Sequence, residues 1–177
     1  MELTSYSLET ELKDIIHQRD EVLKDRFDHL IEQCPVADID EAISLEDFFH
    51  RAAAALSPDL EEDSATIYDL LLERERDSST VLTPYLAIPH IVIRGENHFD
   101  ILLGRCREGI KFSEEAPKVH TVFVLIGTRD ERPFHLTCLA AIAQIVQEEG
   151  FEEQWMAAKH DKALRDLILL GKRRRHA

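Results

Sequence analysis

The sequence lacks any apolar run long enough to cross a membrane. Its longest apolar stretches, at residues 85–93 and 139–146, fall well short of the roughly 18 residues that a span needs. No basic segment followed by an apolar one opens the chain, as it would in an export signal. We therefore expect a cytoplasmic protein with no membrane insertion, or the soluble part of something larger.

Cysteine is also scarce. The three cysteines, Cys34, Cys106 and Cys138, have neither a pairing pattern nor metal-ligand spacing, and an odd number argues against a secreted disulfide framework. A metal-dependent hydrolase would need histidines in His-x-x-x-His or Cys-His spacing, and none of the nine histidines has it. We expect buried thiols, no metal site and no cofactor.

Positive charge is scarce in the first half of the chain. Residues 1–80 carry 22 acidic and 7 basic side chains, whereas residues 81–177 carry 13 acidic and 14 basic ones, and the net charge is −14. Such a surface repels nucleic-acid phosphates and favours a partner with a basic face. The basic tail at 172–177 is either solvated or touches an anionic lipid surface or an acidic partner.

The length of 177 residues fits one domain with one core. Apolar residues at three- and four-residue steps predict an amphipathic helix from about Ser7 to Gln33, stopped before Pro35. Its apolar stripe must be covered by the domain, by a second copy in a homodimer, or by a membrane protein. The predicted division is an N-terminal extension at 1–35, a domain at 36–171 and a basic tail at 172–177.

The domain alternates strands with helices, which predicts an α/β fold with a sheet between helices. Ser44 and Asp47 resemble a capping box, Ser57-Pro58 is expected to end the helix that they begin, and Glu108-Gly109 is expected to be a loop. The predicted strands are 36–39 at an edge, 81–93 with an interruption at 83–84, 98–107 and 121–128; the predicted helices are 45–56, 65–75 with Asp63 or Ser64 as cap, 134–149 with Leu136, Leu139, Ala140, Ala143 and Val146 inward, 151–159 and 161–170.

One titratable ring directly follows a proline in the apolar run Leu86-Ala-Ile-Pro-His-Ile-Val-Ile93. Pro89 cannot donate to a sheet ladder, so the strand should end or bulge there and present His90 at a strand terminus. A neutral imidazole held in this way can act as nucleophile, base or metal ligand. The alternative, a histidine filling a hole beside the sheet, is favoured on these eight residues alone.

Several motifs, taken together and in order, carry a resemblance that extends from about Val36 to Gly171. They are Leu71-Leu-Glu-Arg-Glu75, Ser79-Thr80, Ala87-Ile-Pro-His90, Glu108-Gly-Ile-Lys-Phe112, the strand at 122–126, His135-Leu136 and Leu139-Ala-Ala-Ile-Ala143. This set resembles the IIA domain of the bacterial phosphoenolpyruvate-dependent phosphotransferase system, of the fructose/mannitol and nitrogen-regulatory type (type 2). The resemblance implies a mixed β-sheet sandwiched between helices.

The resemblance also implies a set of site residues. His90 would accept a phosphoryl group from the phosphohistidine carrier protein and pass it to a cysteine of a IIB domain, with Arg74 beside the phosphoryl group and His135 facing His90. Phosphoryl transfer needs positioning and charge neutralisation, which the planar fork of an arginine supplies. Glu75 belongs to the same Arg-Glu motif, and Thr80 would add a hydroxyl contact.

Each of these residues also has a purely structural interpretation. Arg74 would then cap its own helix end or pair with Glu73 or Glu75, Thr80 would bond its own backbone, and His135 would be a surface residue at a helix start. That helix start is also expected to lower the pKa of His135 and to favour a neutral ring.

Two departures from the family pattern leave a second function open, and one of them is Thr83-Pro-Tyr85, where a glycine or small residue often precedes the Ala-Ile-Pro-His run. Ile91 stands where the family usually has glycine, and a β-branched residue resists positive φ, so a main-chain phosphate cradle is expected to be altered. Nothing downstream resembles a IIB or membrane IIC partner, which favours regulatory contact with a transporter or kinase over sugar uptake. The alternative is a IIA-derived binding module without phosphate, such as the cytoplasmic domain of a membrane transporter.

Overall fold

The computed structural model describes residues 24–174. No helix within this range is both long enough and apolar enough to cross a membrane. The helices are α1 (Arg26–Gln33), α2 (Leu45–Leu60), α3 (Ser64–Asp77), α4 (Arg132–Val146), α5 (Phe151–Ala157) and α6 (Asp161–Leu169), with a 3-10 turn at Arg129–Glu131 before α4. The strands are β1 (Val36–Ile39), β2 (Ile43–Ser44), β3 (Val81–Thr83), β4 (Leu86–Ala87), β5 (His90–Ile93), β6 (Phe99–Lys111) and β7 (Val119–Thr128).

The strands form one mixed sheet, as predicted. Its order is β1-β6-β7-β4-β3, with β2 also pairing with β6 and β5 also pairing with β7. The long central strands β6 and β7 are antiparallel, whereas β1 and β2 run parallel to β6, and β4 and β5 run parallel to β7. The predicted edge strand at 36–39 is confirmed, and β5 is placed beside the carboxyl end of β7.

Each face of the sheet has its own apolar core, so the expectation of one core was wrong. Strand β7 shows the division: Val122 and Val124 pack into a first cluster with α2 and α3, while Phe123 and Leu125 pack into a second cluster with α1, α4, α5 and α6. Successive side chains of a strand point to opposite faces, so a sheet covered on both sides buries both. This explains the continuous apolar run in β7.

Helix α2 begins as predicted but does not end as predicted. The hydroxyl of Ser44 accepts a hydrogen bond from the Asp47 N–H at 3.1 Å, which caps the start. The helix then continues through Pro58, the expected stop, to Leu60. Proline removes one helical hydrogen bond, but Leu56 and Leu60 both lie in the first core cluster, and this burial favours continuing the helix for another turn.

Strand β6 also continues through a predicted loop. Gly109 has a φ of 99°, and the register with β7 shifts between Arg105 and Ile110, so this segment is a β-bulge. A Cβ at position 109 would lie 2.9 Å from the Cα of Lys118, closer than such atoms pack. The glycine therefore permits a bulge within the strand, where we predicted a loop.

The buried face of helix α4 overlaps the predicted one only in part: Leu139 and Val146 pack partly buried against the second core cluster, but the fully buried residues are others. Leu136, expected inward, is 52% exposed. The sequence from Leu136 to Val146 is apolar almost all round, so its periodicity does not identify the buried face. That face consists of His135, Cys138, Ala141, Ile142 and Ile145.

The N-terminal helix is shorter than predicted. Lys24 and Asp25 are not helical, and α1 begins at Arg26 after a capping box in which the Asp25 carboxylate accepts a hydrogen bond from the Asp28 N–H. The helix predicted from about Ser7 to Gln33 is therefore wrong at Lys24 and Asp25, because the capping box makes Arg26 the first helical residue. Its first part, at 7–23, lies outside the described residues.

The basic tail is tied to this helix start. The Arg173 side chain is fully buried and donates hydrogen bonds to the carboxylates of Asp25 and Asp28 at 2.8–2.9 Å, with its guanidinium 4.7 Å from the Phe27 ring centroid. Arg173 is thus neither solvated nor available to a lipid surface. The division at residues 35 and 171 stays a prediction, because α1 and Arg173 pack onto the domain from outside those limits.

The cysteines follow the prediction. Cys34, Cys106 and Cys138 are buried free thiols. Burial raises the pKa of Cys34 and of Cys138 to about 12, so both thiols stay protonated at neutral pH. They stabilise the core as small apolar groups.

Candidate active site

His90 is the first residue of strand β5, as predicted from Pro89. Strand β4 ends at Ala87, and the Pro89 carbonyl accepts a hydrogen bond from the Leu125 N–H at 2.9 Å, which anchors the segment to β7. The Nδ1 atom of His90 lies 2.8 Å from the carbonyl oxygen of Ile88. A carbonyl only accepts, so in the neutral ring Nδ1 carries the proton and Nε2 keeps a lone pair. His90 therefore has the tautomer of an Nε2 nucleophile.

His135 lies in the first turn of α4 and faces His90. The two ring centroids are 5.7 Å apart and the rings are nearly perpendicular, and the Phe99 ring also packs against His135, with its centroid 5.4 Å away. His135 is 8% exposed, and its Nε2 atom has no hydrogen-bond partner within residues 24–174. The structure thus brings together the two histidines that the sequence singled out.

The pKa of His135 is lowered to about 4, chiefly by burial and then by the charges of His90 and Arg132. The predicted direction is confirmed. The cause that we expected was the helix start, whereas the main cause is removal of the ring from water, which disfavours its charged form. His135 is consequently neutral at neutral pH and can donate one hydrogen bond.

A cleft of about 540 Å³ opens over the two histidines between the end of α3 and the start of α4. It contains both cationic and acidic side chains, together with apolar ones. The lining residues are Leu70, Glu73, Arg74, Asp77, His90, Ile91, Val92, Thr128, Arg129, Arg132, His135, Leu136 and Leu139.

Arg74 lines this cleft, but its side chain is engaged locally. One terminal nitrogen donates to both the carbonyl oxygen and the hydroxyl of Ser78 at 2.9 Å, just beyond the end of α3. This is the helix-capping interaction that the structural interpretation predicted. Arg74 therefore lines the same cleft as the histidines, has one nitrogen already bonded, and has no ion-pair partner among residues 24–174.

Glu75 and Thr80 lie behind the cleft and do not line it. The Glu75 carboxylate accepts hydrogen bonds from both the N–H and the hydroxyl of Thr80. The Thr80 carbonyl in turn accepts the Ile88 N–H at 3.0 Å, and Ile88 is the residue whose carbonyl orients His90. These two residues support the strand that carries His90, and Thr80 has no free hydroxyl for a ligand in this arrangement.

Ile91 does not distort the backbone beside His90. It pairs with Ile126 in the β5–β7 ladder, and its side chain lies in the first core cluster. Within residues 24–174, the non-glycine residues with positive φ are Glu61 and Asn97, so Ile91 is not among them. A positive φ is thus not required at this position of the chain.

Sequence reasoning missed two cleft residues, Arg129 and Arg132. Arg129 begins the 3-10 turn that follows β7, and Arg132 is the first residue of α4, three positions before His135. Residues three apart share a face of a helix, so a basic residue at this spacing was the available signal. No group of His, Cys, Asp or Glu in the described part of the chain is arranged to hold a metal ion.

The sequence profile of the family described as "Phosphoenolpyruvate-dependent sugar phosphotransferase system, EIIA 2" matches residues 33–170. This range covers most of the 177 residues and includes both histidines and Arg74. The chain therefore belongs to this family.

Curated relatives and solved structures agree with this family. The chain is 31% identical over 97 residues to the mannitol-specific phosphotransferase enzyme IIA component of Bacillus subtilis (strain 168), covering 53% of this chain and 65% of that protein. It is 27% identical over 107 residues to the fructose-specific EIIABC component of the same organism, covering 60% of this chain and 17% of that protein. The chain thus spans less than two thirds of either relative.

The fold is similar to that of the nitrogen regulatory protein IIA-Ntr from Neisseria meningitidis. The TM-score is 0.70 at 23% identity, covering 78% of this chain and 97% of that chain. At this identity the similarity shows the fold, and it confirms the predicted mixed sheet between helices.

Proposed function

We propose that this protein is a phosphoryl carrier that holds a phosphoryl group on Nε2 of His90. The observation that carries the proposal is the hydrogen bond from His90 Nδ1 to the Ile88 carbonyl, which leaves Nε2 as the nucleophilic atom beside a neutral His135. In the transfer, a nitrogen–phosphorus bond breaks in the donor phosphohistidine and a new one forms at His90 Nε2. The donor nitrogen regains its lone pair, and His90 Nδ1 keeps its proton.

The surrounding groups suit this role because phosphoryl transfer depends on positioning and charge neutralisation. Arg74 contributes positive charge at the cleft, and the neutral His135 ring can donate one hydrogen bond to a phosphoryl oxygen. Glu75 and Thr80 hold the strand that fixes His90. The proposed roles are thus nucleophile for His90, neutralisation for Arg74, orientation for His135 and support for Glu75 and Thr80.

The proposed donor is the phosphohistidine carrier protein, and the proposed acceptor is a IIB domain or a regulated transporter or kinase. The relatives include a mannitol IIA component and a fructose EIIABC component, and the similar fold belongs to a nitrogen regulatory protein. We favour a regulatory, nitrogen-type output in the cytoplasm. A homodimer through the segment before residue 24 stays a prediction.

Intact-mass measurement tests the proposal. The protein is incubated with phosphoenolpyruvate and the general carrier proteins, then measured at alkaline pH, where phosphohistidine survives. We expect a gain of one phosphoryl group in the wild type and in a His29→Gln control, which removes an exposed histidine, and no gain in His90→Gln. No gain in the wild type, or a gain that persists in His90→Gln, would remove the proposal.

The alternative is a binding module of the same family that carries no phosphate, such as the cytoplasmic domain of a transporter. One observation favours it: Arg26, outside the family match, pairs with Glu131 and lies 3.9 Å from the Phe134 ring centroid, next to the helix turn that holds His135. An extra segment packed on the site helix suits a protein regulated through that segment. Phosphorylation of His90 in the mass experiment would exclude this alternative.

A further inference from the structure

The wall of the cleft formed by the 3-10 turn and α4 carries two arginines without counterions. Arg129 and Arg132 both line the cleft, and neither guanidinium makes a hydrogen bond or ion pair with any residue in 24–174. The chain as a whole has a net charge of −14. Both arginines are exposed, so two guanidinium groups that no carboxylate of the described chain neutralises are available to an anion beside the candidate nucleophile.

The acidic neighbours on this wall are bonded to other groups. The Asp130 carboxylate accepts hydrogen bonds from the Asn97 N–H at 2.9 Å and from the Thr128 hydroxyl. The Glu131 carboxylate pairs with Arg26 on α1. Both carboxylates therefore have fixed partners away from the two arginines, and the positive charge of the wall is retained.

The opposite wall, formed by the end of α3, is less suited to an anion. Arg74 is there, but one of its nitrogens already donates to Ser78. Glu73 and Asp77 line the same side of the cleft and would repel a negatively charged ligand. An anion in the cleft is therefore attracted more strongly to the wall that carries Arg132.

A buried polar atom points to where such an anion binds. His135 lines the cleft and is 8% exposed, and its Nε2 atom lacks a hydrogen-bond partner among the described residues. Buried polar atoms are normally hydrogen-bonded, so an unpaired one at a cleft marks a position for a ligand group. Arg132 lies three residues before His135 on the same helix, and its charge is one of those felt by the His135 ring.

We propose that Arg132 is a further phosphoryl-binding residue, and that its guanidinium grips the oxygens of the group on His90 from the side of His135. An arginine fork presents two parallel N–H donors that match two phosphate oxygens. Arg74 then contributes charge from the opposite wall. This inference rests on the proposed function for the identity of the anion, but the anion site itself can be tested separately.

The first experiment measures anion binding without any phosphoryl transfer. Inorganic phosphate is titrated into the wild type, Arg132→Gln, Arg132→Lys and Arg76→Gln, with the His90 and His135 ring resonances followed by NMR. Arg76 is exposed, lies on α3 outside the cleft lining, and provides a control of equal charge. We expect Arg132→Gln to weaken phosphate binding by about tenfold to a hundredfold, the loss typical of one charged hydrogen-bonding partner.

In the same titration we expect Arg132→Lys to retain part of the affinity and Arg76→Gln to resemble the wild type. Phosphate binding in Arg132→Gln equal to that of the wild type would overturn the inference. So would a wild type whose two histidine rings do not respond to phosphate, or an Arg76→Gln variant that loses as much affinity as Arg132→Gln.

The second experiment measures the rate at which His90 gains a phosphoryl group from the carrier proteins. We expect a similar fold-loss in Arg132→Gln, partial rescue in Arg132→Lys and none of this loss in Arg76→Gln. A wild type that binds phosphate through Arg132 but gains no phosphoryl group would refute the proposed function and leave the anion site standing. An Arg132→Gln variant that is phosphorylated at the same rate as the wild type would refute the role of Arg132 and leave the proposed function standing.

Discussion

The buried ring of His135 makes a specific prediction about stability and pH. Its pKa is lowered from 6.5 to about 4, with burial as the main cause. Between these two values the unfolded chain binds a proton on His135 that the folded chain does not bind. Lowering the pH through this range therefore favours the unfolded state. The contribution of the neutral His135 ring to the free energy of unfolding is fully present above pH 6.5 and is lost as the pH falls towards 4.

The size of the effect follows from the same shift. One pKa unit corresponds to about 1.4 kcal/mol, so a shift from 6.5 to about 4 gives at most about 3 to 4 kcal/mol of linked free energy. The ring is 8% exposed, so solvent screening reduces this value only modestly. His135→Gln removes the titrating group, and its own packing cost is the same at every pH.

The assay compares the free energy of unfolding of the wild type and His135→Gln by urea denaturation at pH 7.5 and at pH 4.5. Other titrating groups contribute to both proteins and cancel in the difference. We expect the advantage of the wild type over the variant to be smaller at pH 4.5 by about 2 to 3 kcal/mol. The intrinsic fluorescence of Trp155, fully buried in the second core cluster, reports unfolding.

The pKa of His135 can also be measured directly by NMR. In His90→Gln we expect it to rise, because the His90 charge is the second cause of its lowering, but to stay below 6.5 because burial remains. A difference between wild type and His135→Gln that does not change with pH would refute the reasoning. A His135 ring that titrates at 6.5 or above in the wild type would refute it as well.

Three further predictions concern stability. Arg173→Met should lower the free energy of unfolding by about 3 to 5 kcal/mol, as measured by urea denaturation at pH 7, because it removes the cation that two buried carboxylates share; a loss below about 1 kcal/mol would contradict this. Gly109→Ala should lower the free energy of unfolding by about 1 to 3 kcal/mol, because φ is 99° and the new Cβ would lie 2.9 Å from Lys118 Cα; an unchanged midpoint of thermal unfolding would argue against it. Burial raises the pKa of Asp100 to about 7, so the folded protein loses stability as the pH rises from 3.8 through 7 and the buried carboxyl must ionise. Asp100→Asn should therefore have a higher free energy of unfolding than the wild type at pH 8. An equal or lower value at that pH would refute burial as the cause.

Much of the fold is predictable because local chemistry and tertiary packing agree. Pro89 interrupts the strand as expected, and Ser44 caps α2 as expected. The errors occur where tertiary contacts override a local signal. Pro58 and Gly109 both resemble terminators in sequence, yet Leu60 finds a place in the core and a bulge accommodates the glycine. The sequence pattern shows the proline or glycine that usually ends an element, but it does not show the tertiary packing that lets the element continue.

The candidate site is predictable in its composition and less so in its arrangement. The motifs identified His90, His135 and Arg74, and all three line one cleft. The hydrogen bond of Arg74 to Ser78 and the position of Arg132 depend on side-chain conformations that no residue spacing determines. An arginine at the end of a helix has several available partners, and only the folded environment selects one.

The folding unit around the second histidine is larger than the part that the family profile matches. Arg26 precedes residue 33, yet it pairs with Glu131 and lies over the Phe134 ring. Phe134 packs against Phe99 at 5.1 Å, and Phe99 packs against His135 at 5.4 Å. Helix α1 is thus linked to His135 through two aromatic rings, and Phe99 is the one that contacts the His135 ring. Because the low pKa of His135 comes chiefly from burial in the folded chain, the motif predicts that this histidine is present but not that its pKa is low.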